Sequence, residues 1–164
     1  MHIHVKGSGE CPTADDSRLH NGRLATSTTD GLRAHGAIGT SLTTDGGTSP
    51  AGALAVDRFP AGGTSTSSRT IAVTDDVARQ VRDDNAVVVI HGIDYNENGE
   101  YDSVLDAGEL NPVLPQEATA PALCGPLRCP LPALARPAVR CTPTAGRTGR
   151  DVRTGPGPAP PSPG

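Results

Sequence analysis

The chain has 164 residues, room for one domain, and its formal charge of −4 conceals an uneven split. Residues 1–125 carry eight Lys+Arg against seventeen Asp+Glu, whereas residues 126–164 carry six Arg and one Asp. An acidic body of this kind excludes a nucleic-acid surface, which needs clustered cations, and no apolar run approaches the ~20 residues of a membrane span.

Residues 126–164 also hold ten of the sixteen prolines, five glycines and no aromatic residue. Such a segment buries too little apolar surface to offset its chain entropy, so residues 128–164 are expected to form a disordered Pro/Arg/Gly-rich tail behind a folded body of residues 1–127. That body has one Phe, two Tyr, one Met and no Trp among abundant Gly, Thr, Ser, Ala and Val. The mixture suits short strands joined by turns and leaves a small core that needs a covalent or metal staple. Four cysteines are present, Cys11 and Cys124 at the two ends of the body and Cys129 and Cys141 in the tail. No paired CxxC motifs exist, which argues against a structural zinc knuckle. A long-range Cys11–Cys124 bridge fits the layout and would imply an oxidising compartment.

In chain order, His2–Val5 alternates polar and apolar residues and reads as the end of a strand. Gly7–Ser17 is a turn-rich loop with Cys11 and Pro12. Ala37–Thr43 is a strand in a Gly/Thr/Ser setting, and Asp45-Gly46-Gly47 marks a turn. Ala53–Phe59 and Ser68–Val73 alternate in the period-2 manner of half-buried strands, with a Gly-rich loop between them. Thr74–Asp84 is the one helical stretch: Thr74 caps it, Asp75 and Asp76 sit in its first turn, and Val77 and Val81 stack at i, i+4. Ala86–Ile90 is a continuous β-branched run, the best central strand. An acidic Asn/Gly-rich loop and Leu/Pro-punctuated coil follow as far as Cys124. Short strands with Gly-rich turns predict an all-β sandwich or barrel.

Two constellations carry possible chemistry. In His2-x-His4, alternate strand residues point to one face, so both imidazoles can converge on one ion, with His91 after the central strand as a third ligand. Three imidazoles suit copper, zinc or nickel; the alternative is two surface histidines and a strand-end histidine. In the loop from Asp94 to Asp102, Asp94, Asn96, Asn98 and Asp102 supply oxygens around Gly99, matching the start of a Ca²⁺-loop pattern. Leu105 stands where an EF-hand requires a bidentate Glu, with Asp102, Asp106 and Glu109 nearby; the alternative is a loop held by its own Asx-turn hydrogen bonds. No G-x-S-x-G elbow, papain-like cysteine setting, P-loop or dinucleotide fingerprint occurs, which sets hydrolase and nucleotide chemistry aside.

The order His2-x-His4, Cys11-Pro12, Val87-Val88-Val89-Ile90-His91-Gly92 and Ala122-Leu123-Cys124-Gly125 resembles a group of secreted proteins of high-GC bacteria related to the CHRD domain. Ser41–Thr44, Ala55–Pro60, His91–Gly99 and Glu117–Gly125 are similar to that group too, and the resemblance spans most of residues 1–127. More distantly, the same order resembles copper,zinc superoxide dismutase, a Greek-key β-sandwich. That resemblance implies His2, His4 and His91 as copper ligands and Cys11–Cys124 as the disulfide. The zinc-loop ligands have no counterpart in it, His20 and His35 being the remaining histidines, and no Arg stands in an evident anion-guiding position. It also implies a secreted protein lacking its first strands as written: Met1 is followed at once by His-Ile-His, without a signal peptide, as if at an internal start. The open sheet edge this would leave invites self-association. The expected function is a secreted metal-binding module, with a dismutase-like copper redox enzyme as the alternative.

Overall fold

A computed structural model describes residues 1–62 and 64–128 and the backbone of Thr142–Pro143. Strand β1 (His2–Lys6) is central. It pairs antiparallel with β4 (Gly36–Ser41) on one side and with β5 (Ala86–His91) on the other. Strand β5 in turn pairs with β6 (Pro121–Arg128), and β6 at its far end with β7 (Thr142–Pro143), completing a five-stranded sheet of order β4-β1-β5-β6-β7. A separate hairpin joins β2 (Arg18–His20) to β3 (Arg23–Ala25). The architecture is mainly antiparallel β, as expected, with few helices.

The alternation of β1 divides the molecule. Ile3 and Val5 lie opposite Val88 and Ala86, while His2 and His4 lie opposite Val89 and Val87. Helix α2 (Asp75–Arg82) covers the Ile3/Val5 face. The Thr74 hydroxyl accepts the Val77 N–H at 3.3 Å, as a helix cap should, and Val77 and Val81 pack on Val5, Ala86 and Leu127. Gly39 makes this approach possible, since a Cβ there would press into the side chains of Val77 and Val5. At the end of β1, Lys6 holds Asp76 of the helix at 3.0 Å, with Arg79 on the same carboxylate. Loops and two short helices, α1 (Leu32–His35) and α3 (Gln116–Thr119), surround the histidine face.

Three expectations are corrected. Residues 53–59 form no strand; single 3₁₀ turns occupy Pro50–Gly52 and Val56–Arg58. Pro50 presets the first turn, local i→i+3 bonds such as Arg58 N–H to Ala55 C=O satisfy the backbone, and Leu54 and Val56 stay partly exposed because no sheet takes up their alternation. Ser68–Val73 also stays outside the sheet: Arg69 donates to the carbonyls of Thr43 and Gly46, and the segment runs straight to the Thr74 cap. Conversely, the expected coil before Cys124 contains α3 and the eight-residue strand β6. Its prolines hid it, yet Pro121 is its first residue, and only β5 and the two residues of β7 draw on its backbone. The sheet runs through Arg128, one residue past the expected boundary. The rest of the expected disordered tail, residues 129–164 apart from the Thr142–Pro143 backbone, lies outside the described residues. No helix among the described residues is long and apolar enough to cross a membrane.

Candidate metal centre

His2, His4 and His91 converge: one ring nitrogen from each lies within 4.8 Å of the other two. Strand alternation puts His2 and His4 on one face, and β5 delivers His91 beside them because an irregularity between Ile90 and His91 turns the strand end. His2 and His4 are 5 % and 1 % exposed.

Each ring is held by a backbone carbonyl, which can only accept. His2 donates Nε2–H to Ala53 at 3.1 Å, His4 donates Nδ1–H to Gly36 at 2.9 Å, and His91 donates Nδ1–H to Thr119 at 2.7 Å. The tautomers follow: lone pairs remain on Nδ1 of His2 and on Nε2 of His4 and His91. The His2 Nδ1 is buried without a partner among the described residues, and the two Nε2 atoms face each other at 3.3 Å. Burial drives all three rings toward the neutral form, lowering His2 to about 2, His4 to about 3 and His91 to about 4, with repulsion from the Met1 amino group and from neighbouring imidazoles, His35 among them, adding to the effect. With no proton between them at neutral pH, the 3.3 Å approach is lone pair against lone pair. Ligands tied through their second nitrogen in this way are pre-oriented for a metal ion.

His35 was not foreseen as a neighbour. It closes α1 and stacks edge-on against His4, with ring centroids 4.5 Å apart. Its Nδ1–H shares the Gly36 carbonyl with His4, its Nε2 is buried and unpartnered, and burial lowers its pKa. Gly36 occupies φ +77° between Val5 and Gly7, where a Cβ would collide with both backbones, so the doubly used carbonyl depends on glycine. The dipeptide His35-Gly36, repeating His91-Gly92, was the available signal. Phe59 closes the other flank, its ring 5.1 Å from that of His2. His20 lies elsewhere, between Asp30 at 2.6 Å and Asp106 at 3.6 Å.

Cys11 and Cys124 form a disulfide, tying the Gly7–Ser17 loop to β6. A Cβ at Gly31 would collide with both Pro12, beside the bridge, and the His35 ring, so the absence of a side chain there lets the bridged loop lie close to the histidine cluster.

The loop from Asp94 to Asp102 brings its own polar residues together. Asp94 accepts the N–H groups of Asn98 and Gly99 at 3.1 and 2.7 Å, and Asp102 accepts the amides of Asn96 and Asn98 at 3.1 and 2.8 Å. The Val104 N–H, together with these side-chain amides, holds the Asp102 carboxyl below the usual range. Leu105 is fully buried, Asp106 turns to His20, and Glu109 accepts from Ser27 and Thr29. Glu117, fully buried on α3, anchors the loop by accepting Tyr95 N–H at 2.6 Å and Asp102 N–H at 2.7 Å. Sequence reasoning gave Glu117 no such role.

Comparison of the chain with protein-family models, with curated proteins and with solved structures finds no match in any of the three.

Proposed function

We propose that this chain is a secreted, disulfide-closed β-sandwich module that holds a transition-metal ion, copper before the others, on His2, His4 and His91. One observation carries the reading: two buried imidazoles and a half-buried one bring a ring nitrogen each within 4.8 Å of the others, and a backbone carbonyl holds one nitrogen of every ring. Imidazole suits copper, zinc and nickel, and among divalent ions copper binds such nitrogens most tightly. Donors sharing a metal at about 2.0–2.1 Å stand roughly 3–4 Å apart, and the Nε2 atoms of His4 and His91 are already 3.3 Å apart. The histidine group outranks the 94–102 loop as the metal site, because the carboxylates of Asp94 and Asp102 already accept hydrogen bonds within that loop.

The resemblance to CHRD-related proteins and to the Greek-key dismutase sandwich belongs to the same proposal. The H-x-H pair on β1, the His-Gly at the end of β5 and the Cys11–Cys124 bridge support it. The bridge also supports secretion into an oxidising compartment. Strand β4 lies at an edge of the sheet, which supports self-association there.

The second reading, a copper redox enzyme of the dismutase kind, is favoured by the same ligand set, with bound copper supplying one-electron chemistry. Copper titration of the full chain tests both. Tight 1:1 binding that is lost in His91→Ala supports the metal site, and superoxide turnover lost in the same variant supports the enzyme. Copper binding no tighter than in a variant lacking His2, His4 and His91 overturns both.

A further inference from the structure

Beside the histidines lies a cavity of about 970 Å³, within the size range of small-molecule sites. His2 and His91 form part of its wall. His4, almost fully buried, stands behind them. A molecule in the cavity therefore meets the centre from the His2/His91 side.

Most of the rest of the wall is apolar or aromatic, with Leu54, Phe59, Leu110 and Leu114 among its residues, and the hydroxyls of Thr28, Thr64, Ser65, Tyr101 and Thr119 interrupt it. No Lys, Arg, Asp or Glu side chain among the described residues lines it. An ionic body entering such a space loses hydration and meets no side chain of opposite charge. An apolar body gains by leaving water. Among the described residues, the His2 and His91 imidazoles are the only nitrogen-bearing side chains in the wall.

We propose that this cavity binds an uncharged, mainly apolar small molecule that directs one nitrogen or oxygen lone pair at the metal ion held by His2, His4 and His91. The proposal rests on the transition-metal reading of that centre and adds the ligand class. The hydrocarbon walls select the body of the molecule, and the metal selects its single donor atom.

The test uses the copper-loaded full chain and three probes: imidazole, 4-phenylimidazole and the para-carboxylate of 4-phenylimidazole. Binding is followed by the copper d–d absorption and electron paramagnetic resonance spectra, neither of which requires turnover. Burial of the phenyl ring is expected to make 4-phenylimidazole bind at least about tenfold tighter than imidazole, and the carboxylate is expected to cancel that gain. Leu110 is 53 % exposed, so Leu110→Glu is compatible with folding. It is expected to remove the phenyl gain while leaving copper loading intact. If copper loads but 4-phenylimidazole binds no better than imidazole, the cavity proposal is overturned and the metal site stands. If copper does not load, the metal reading fails and takes the cavity proposal with it.

Discussion

The Nε2 atoms of His4 and His91 face each other at 3.3 Å, and neither carries a proton, because each ring has committed its Nδ1–H to a backbone carbonyl. Two such lone pairs repel in the metal-free chain, and a shared cation turns the repulsion into binding. Removing one ring is therefore expected to abolish the metal effect without a comparable loss of fold. In His91→Ala, copper affinity should fall by about two orders of magnitude or more, since even outer-shell partners of metal ligands are worth ~10–100-fold. Copper should raise the thermal midpoint of the wild type and leave that of the variant unmoved, as differential scanning calorimetry would show. An equal copper-induced rise in both proteins would contradict the three-ligand site.

The same burial makes the metal-free chain acid-sensitive. His2, His4 and His91 are lowered to about 2, 3 and 4 in the fold, from 6.5 in the free side chain, and His35 is lowered as well. Below pH 6.5 the unfolded chain binds protons at these histidines that the folded chain refuses, so their contribution is complete above pH 6.5 and declines as the pH falls toward 4 and below, while the buried Met1 amino group, lowered to about 6, acts in the same direction from pH 8 down. Each shifted histidine contributes a slope of up to about 1.4 kcal/mol per pH unit. Urea unfolding at pH 7.5, 6 and 5 checks the sign, and a midpoint that rises on acidification contradicts it. Copper affinity should change little between pH 7 and pH 5, because the folded imidazoles have no protons to release over that range.

How much of this was legible in the sequence depended on whether local pattern or tertiary pairing decided each element. β1, β5 and α2 were readable because alternation, a β-branched run and a Thr cap are short-range signals, and their packing agrees with them. The histidine trio followed from strand alternation together with the resemblance. Ala53–Phe59 and Ser68–Val73 also alternate, but no partner strand takes up either, and alternation without a partner makes no sheet. β6 failed in the opposite sense: its prolines speak against a strand, and only its pairing with β5 rescues it. His35 and Glu117 were beyond reach for another reason. Each acts on a segment distant in the chain, His35 on β1 and Glu117 on the 94–102 loop, and no local spacing encodes that contact.

Glu117 is a buried carboxylate whose two oxygens accept the N–H groups of Tyr95 and Asp102. Glu117→Gln retains one acceptor and puts an NH₂ against the other amide. A buried donor left facing a donor costs about 1–3 kcal/mol. The loss should appear as a lower urea midpoint, with faster hydrogen exchange at the Tyr95 and Asp102 amides than elsewhere in the loop. Because the substitution leaves the α3 backbone in place, including the Thr119 carbonyl that holds His91, the copper spectrum should not change. Unchanged exchange at both amides would remove Glu117 from the role of loop anchor.

The Cys11–Cys124 bridge closes a sequence separation of 113 residues. In the chain-entropy model a loop of that size stabilises the fold by about 4–5 kcal/mol, by restricting the unfolded ensemble. A small domain with about 5–15 kcal/mol in total loses most of its margin without it. Cys11→Ser with Cys124→Ser should therefore lower the urea midpoint sharply, as reduction of the wild type should. Two mechanisms remain to be separated. If the bridge acts only on the unfolded chain, the folded fraction of the double variant keeps the wild-type copper spectrum, and saturating copper restores stability by mass action. If the bridge also shapes the centre, through the close approach of Pro12 and the His35 ring around Gly31, the copper spectrum itself shifts. The wild-type spectrum is the expected result, because the carbonyls that orient His2, His4 and His91 belong to Ala53, Gly36 and Thr119, none of them in the bridged loop.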